Sequence, residues 1–220
     1  MSNHHIFNIL SQIFLGLILS LLIISASVTL TLNFRPLYYA DIHWLNISET
    51  SGLSEEDIRN NYDALIDYNS LFNDDPLSFP TFTMSESGRI HFEEVKKIFD
   101  LFGWMTIITF LTVMAGAAIT HKQHNCLWLK LAGIFSIVLP VLLGIMIAVN
   151  WDYVFVTFHQ IVFNNDYWIF DETTDPVITI LPDTFFMHCA IMIFALVIAG
   201  SIICLLLSRH LHRSFKKSDD

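Results

Sequence analysis

The sequence predicts an all-α membrane protein in which four transmembrane helices carry a small extracytoplasmic cap. Three observations lead there. Hydrophobic residues make up 54% of the 220-residue chain. They gather into four blocks, from Ile6 to Leu32, Phe99 to Thr120, Leu127 to Val149 and Thr184 to Leu207. A bilayer core of about 30 Å needs about 20 apolar residues in a helix, and each block reaches that length. Between the blocks, positive and negative residues are sorted onto different connections, as membrane orientation requires. A closed β-barrel also satisfies its backbone in lipid, but its alternating pattern is absent.

Residues 1–33 form the first transmembrane helix. A cleaved signal peptide fits this stretch less well. The leading MSNHHIFN has no Lys or Arg and the apolar run exceeds a typical signal core, although Ser25-Ala26-Ser27 offers small residues for cleavage. Residues 34–97 form the cap. Ser54 followed by Glu55, Glu56 and Asp57 reads as a capped helix start, with acids against the positive end of the dipole. Ile58, Tyr62, Leu65 and Ile66 then recur at helical spacing. Pro76 and Pro80 break the next stretch, Ser87-Gly88 reads as a turn, and His91 opens an amphipathic helix that runs into the second span. Residues 98–150 hold the second and third transmembrane helices and a short cytoplasmic loop, with Pro140 placed to kink the third.

Residues 151–182 are an extracytoplasmic segment rich in aromatic and acidic residues. Trp151, Phe155, Phe158 and Val162 recur every three or four positions, so a helix continues out of the third span or restarts just beyond it. Asn164-Asn165-Asp166 stops that helix, and Asp171 to Pro176 reads as a solvated polar turn. Residues 183–220 are the fourth transmembrane helix and a cytoplasmic basic tail.

Orientation rests on charge. Lys122 and Lys130 mark the short loop, and Arg209, Arg213, Lys216 and Lys217 mark the tail, so both are cytoplasmic. Phe34 to Lys97 holds twelve acids against five basic residues, and Trp151 to Pro182 holds five against none. The net charge of −10 is therefore concentrated outside and argues against a nucleic-acid partner. Cys126 falls in the inner loop and Cys189 and Cys204 in the last span, so no disulfide framework is expected. A thiol among lipid-facing residues is also a poor nucleophile. Asn46-Ile47-Ser48 fits a glycosylation sequon by chance. Asp166, Asp171, Glu172 and Asp175 do not match a calcium-loop spacing. Neither HExxH nor a comparable zinc-ligand spacing is present.

Ten histidines remain to be placed. His4, His5, His121, His124, His210 and His212 fit interfacial anchors on the inner side. His43 suits a cap contact, and His188, about one turn into the last span, suits a side chain reaching outward. His91 and His159 differ. Each stands where an outer segment meets the membrane, His159 beside Phe155 and Phe158. On these grounds the chain has an outward-facing, histidine-bearing site. Either an enzyme or a lipid- or peptide-binding sensor without chemistry would satisfy it.

The run FHQIVFNNDYWIFDETTDPVITILPDTFF, with NYDALIDYNSLF and FPTFTMSESGRIHFEEVKKIF upstream, resembles the bacterial membrane family of lipoprotein intramolecular transacylases (Lit). The resemblance covers nearly the whole chain. It implies a multi-pass protein of the bacterial cytoplasmic membrane, working as a monomer among phospholipids on a lipid-anchored lipoprotein. It further implies transfer of the sn-2 acyl chain from a diacylglyceryl-cysteine to the cysteine's own α-amino group, which leaves the lyso form. The reacting atoms close an eight-membered ring along the substrate's bonds, so holding the ends together is the first catalytic task. Such positioning can contribute about 7–11 kcal/mol. Matching the motif makes His91 and His159 the catalytic pair that moves protons, with no cofactor and no metal. Phe163 and Trp168 would line the pocket, and Asn165 and Asp171 would orient an imidazole or supply an oxyanion donor.

Overall fold

A computed structural model describes residues 3–122 and 125–219; His124 lies outside the described residues. The helices are α1 (Asn3–Asn33), α2 (Arg35–Trp44), α3 (Ile47–Ser51), α4 (Glu55–Tyr68), α5 (Glu86–Lys122), α6 (Leu127–Val149), α7 (Trp151–Val162) and α8 (Asp183–Asp219). A 3-10 turn covers Pro176–Ile180. Four stretches are long and apolar enough to cross a membrane: Ile6–Asn33, Glu86–Thr120, Leu127–Val149 and Asp183–Phe215. They fall where the apolar blocks place them.

The chain packs as two units. One comprises Met1–Val28, Gly103–Ile145 and Ile193–Asp220, the other Thr29–Phe102 and Met146–Met192. In the first, Leu15, Leu19, Val113, Trp128, Leu129 and Ala132 form the buried core. Lipid tails are as apolar as leucine, so small residues and polar side chains must supply the helix association. Ser20 donates to the Gly16 and Ala132 carbonyls at 2.9 and 3.3 Å. The Trp128 N–H donates to the fully buried Gln12 at 3.2 Å. Ser201 donates to the Gly133 carbonyl, and a Cβ on Gly133 would lie only 3.0 Å from the Ser201 carbonyl oxygen.

The second unit has an aromatic core. Tyr38 and Tyr62 stack at 3.7 Å, Phe185 packs edge-on against them at 5.0 and 5.8 Å, and the Tyr38 hydroxyl donates to the Ile180 carbonyl at 2.7 Å. These contacts join α2, α4, the 3-10 turn and the start of α8. The Ser54 cap of α4 forms as the sequence predicts, accepting the Asp57 N–H at 3.1 Å. Asn61 on α4 holds Thr81 through two bonds, donating at 2.7 Å to its hydroxyl and accepting at 3.2 Å from its N–H. Asn46, in the left-handed conformation that asparagine tolerates, makes the corner between α2 and α3.

Two local expectations change. Ser87-Gly88 is not a turn but lies in the first turn of α5, because Ser85 caps that helix and accepts the Gly88 N–H at 3.0 Å. The turn from Asp171 to Pro176 is not wholly solvated, since Asp175 is only 2% exposed. Its Oδ1 accepts the Ser85 N–H at 2.8 Å and its Oδ2 the Thr174 hydroxyl at 2.7 Å. His188 reaches the outer segment, its Nδ1 lying 2.8 and 2.9 Å from the two oxygens of the completely buried Asp41 on α2. His43 does make a cap contact, an exposed pairing with Glu55 at 3.7 Å.

Candidate active site

His91 and His159 come together within the second unit, with ring centroids 6.2 Å apart. Each is delivered by a helix start that the local sequence dictates. The Ser85 cap and the Asp175 carboxylate fix the first turn of α5, and His91 projects from the next turn. Asn150 interrupts the helix after α6 and caps α7, accepting the Tyr153 N–H at 3.0 Å. The helix thus restarts beyond the third span, and His159 sits in the last turn of α7.

Aromatic rings enclose both imidazoles. Phe163 packs edge-on against His91 at 4.7 Å and lies 5.7 Å from His159. Phe170 lies 5.5 Å from His91. Phe155 and Trp168 lie 4.3 and 4.7 Å from His159, with Phe158 edge-on at 5.3 Å. Phe163 is buried and packs against both histidines. Two cavities, of about 260 Å³ beside Trp128 and about 430 Å³ beside Arg59, lie elsewhere. His91 is buried, whereas His159 is only partly buried.

The hydrogen bonds of the two rings differ. Nδ1 of His159 lies 2.8 Å from the Phe155 carbonyl oxygen, which can only accept. Nδ1 therefore carries the proton, and the neutral ring presents Nε2 as its lone pair. Burial holds His159 below its ordinary titration range, partly offset by that carbonyl. Nδ1 of His91 is buried with no hydrogen-bond partner among the described residues. The ring nitrogens reach little beyond an ångström from each centroid, so rings 6.2 Å apart are not hydrogen-bonded to each other. A proton passing between them must travel through an atom lying between them.

Asn165 and Asp171 are engaged elsewhere. The Asn165 amide donates to both oxygens of Glu94 at 3.0 and 3.1 Å, and its carbonyl accepts the Tyr167 N–H at 3.0 Å. Asp171 is exposed, and the Thr173 N–H and hydroxyl hold its carboxyl below the usual carboxylate range. Among the described residues neither is bonded to an imidazole. Sequence reasoning missed Glu94, Phe170 and the role of Gly88. Glu94 alone left a signal, lying one helical turn from His91. No group of three His, Cys, Asp or Glu side chains among the described residues could hold a metal ion.

A four-span, all-helical membrane protein with two imidazoles enclosed by aromatic rings is the class that fold and site define. Residues 13–186 match the family described as lipoprotein intramolecular transacylase Lit. The solved in meso structure of the membrane integral Lit from Bacillus cereus is 34% identical. It superposes with a TM-score of 0.93, over 98% of this chain and 100% of that one. Two variants of that protein, each with one histidine replaced, by arginine or by alanine, superpose with TM-scores of 0.89 and 0.88 at the same 34% identity. The first covers 98% of this chain and 96% of that one, the second 97% of each. No curated protein sequence matches the chain. The chain belongs to the lipoprotein intramolecular transacylase family and is a multi-pass membrane transacylase acting on lipoproteins.

Proposed function

We propose that His91 and His159 divide the proton transfers of an O-to-N acyl shift within one diacylglyceryl-cysteine lipoprotein, on the extracytoplasmic side of the membrane. The observation that carries this reading is the 6.2 Å approach of two imidazoles that are not bonded to each other. The α-amine attacks the sn-2 carbonyl carbon. Nε2 of His159 takes the proton that the nitrogen sheds, the glyceryl oxygen gains one from His91 as its bond to the acyl carbon breaks, and solvent then carries the proton held on His159 back to His91, which restores both rings. The ester is spent, the amide is formed, and the protons balance. General acid–base help of this kind contributes about 10²–10⁴ in rate.

The aromatic walls hold the folded-back substrate, with Phe163 against both imidazoles and Trp168 against His159. That a histidine was the residue replaced in two Bacillus cereus structures supports the weight given to histidine here. The acidic outer segments and basic inner ones support the extracytoplasmic orientation.

Mass spectrometry of a model lipoprotein's amino terminus tests the reading. Cells with the intact protein should yield the N-acyl, S-monoacylglyceryl form. Cells with His91→Ala or His159→Ala should retain the diacyl form while the variant accumulates in the membrane. Near-normal lyso product from either variant removes that histidine from the chemistry.

A further inference from the structure

Glu94 stands apart among the acids of α5. Arg89 pairs with Glu86 and Glu93, and Lys96 pairs with Asp100. Glu94, half-buried, has only the neutral Asn165 amide, and among the described residues no cation lies within ion-pair distance of it. A carboxylate partly withdrawn from water normally finds a cation or several strong donors. One amide nitrogen shared between two oxygens leaves most of its accepting capacity unused.

Its position adds meaning. Glu94 is three residues beyond His91 on a helix, so the two side chains share a face with Cβ atoms about 5–6 Å apart. Asn165, which holds Glu94, is two residues from Phe163, which packs against both histidines. Glu94, with no cation partner among the described residues, thus stands one helical turn from His91, in a protein whose substrate class has one cationic group at the reacting end. That group is the α-ammonium of the lipid-modified cysteine.

We propose that Glu94, oriented by Asn165, is the subsite that receives the α-ammonium group of the lipoprotein's terminal cysteine. The inference rests on the transacylation reading above and adds to it how the amine is chosen and placed. The bound ammonium passes one proton to solvent before it attacks, and the nitrogen regains positive charge as it adds to the ester carbon, so the same carboxylate favours both the arriving ammonium and the attacking amine. A terminus already acylated on nitrogen has no such charge, which would help product leave.

The test uses two inert probes and the full-length protein in nanodiscs. Both probes are peptides with a dialkyl-ether glyceryl group on cysteine, so no acyl chain can move; one has a free amine and the other is N-acetylated. The intact protein should bind the free-amine probe roughly ten- to a hundredfold more tightly, as a charge-assisted contact predicts. Glu94→Gln retains an acceptor for Asn165 but lacks the charge, and its ratio should fall to near one. Glu94→Asp should keep part of the preference. A ratio near one in the intact protein, or a ratio unchanged in Glu94→Gln, overturns the proposal. Should Glu94→Gln not accumulate, the intact protein decides. Its ratio must shrink from pH 6.5 to 9.5 as the free amine loses its proton, around a pKa of about 7.7–8.0. A flat ratio across that range overturns the proposal as well. Lyso product from the same preparation reports on transacylation separately, so a failed subsite is not confused with a failed reaction.

Discussion

Gly88→Ala should destabilise the protein, although the same change in an ordinary helix stabilises by about 0.5–1 kcal/mol. A Cβ on Gly88 would lie 2.3 Å from Oδ1 of Asp175, 3.1 Å from its Cγ and 3.2 Å from Cε1 of Phe170. The carboxylate cannot simply back away, being 2% exposed and held by the Ser85 N–H and the Thr174 hydroxyl. Displacing it gives up a charge-assisted bond worth about 1.5–3 kcal/mol. Overpacking adds about 1–3 kcal/mol of strain. Set against the helical gain, the net loss is about 2–5 kcal/mol. Thermal unfolding in detergent reads it directly. In an Asp175→Ala background the closest obstacle is gone and only the Phe170 contact at 3.2 Å remains, so the cost of Gly88→Ala should shrink. Lyso product should fall as well, since Phe170 packs against His91 at 5.5 Å and must move. A Gly88→Ala protein with a raised melting temperature and full activity would refute the reasoning.

The same structure sets three further expectations. His159 titrates below its ordinary range in the fold, whereas an unfolded chain protonates it near pH 6.5. Above that pH both states hold a neutral ring. On acidification the unfolded state gains its proton first, so stability should fall below about pH 6.5, and fall less in His159→Gln. Carbon-13 NMR of the imidazole should place its midpoint below 6.5. His188→Ala strands the fully buried Asp41 carboxylate and should cost about 3–5 kcal/mol, whereas Asp41→Asn, which leaves no buried charge, should cost less. Comparison of the unfolding midpoints checks the order, and the reverse order would undo the argument. Ser54→Ala removes the α4 cap and should cost about 1 kcal/mol with acyl transfer unchanged, measured by unfolding and by lyso product.

What could be read from the sequence divides by the range of the interaction. The spans, the Ser54 cap and the restart at Asn150 are local, each set by periodicity or by a side chain reaching three residues along. His91 and His159 were legible as single residues, because each stands where an outer segment meets the membrane and lies in the runs that carry the family resemblance. Their neighbours were not. Asp175 meets Ser85 across 90 positions, Glu94 meets Asn165 across 71, and Asp41 meets His188 across 147. In each case a carboxylate that reads as ordinary solvated charge is instead the partner of a group on a distant segment. No spacing rule relates such pairs, because only the packing of α2, α5, α7 and α8 brings them together. The tautomer of His159 is the instructive exception. Its Nδ1 bonds a carbonyl four residues earlier, a relation any helix makes available, so the placement of His159 in the last turn of α7 already implied which nitrogen stays free for chemistry.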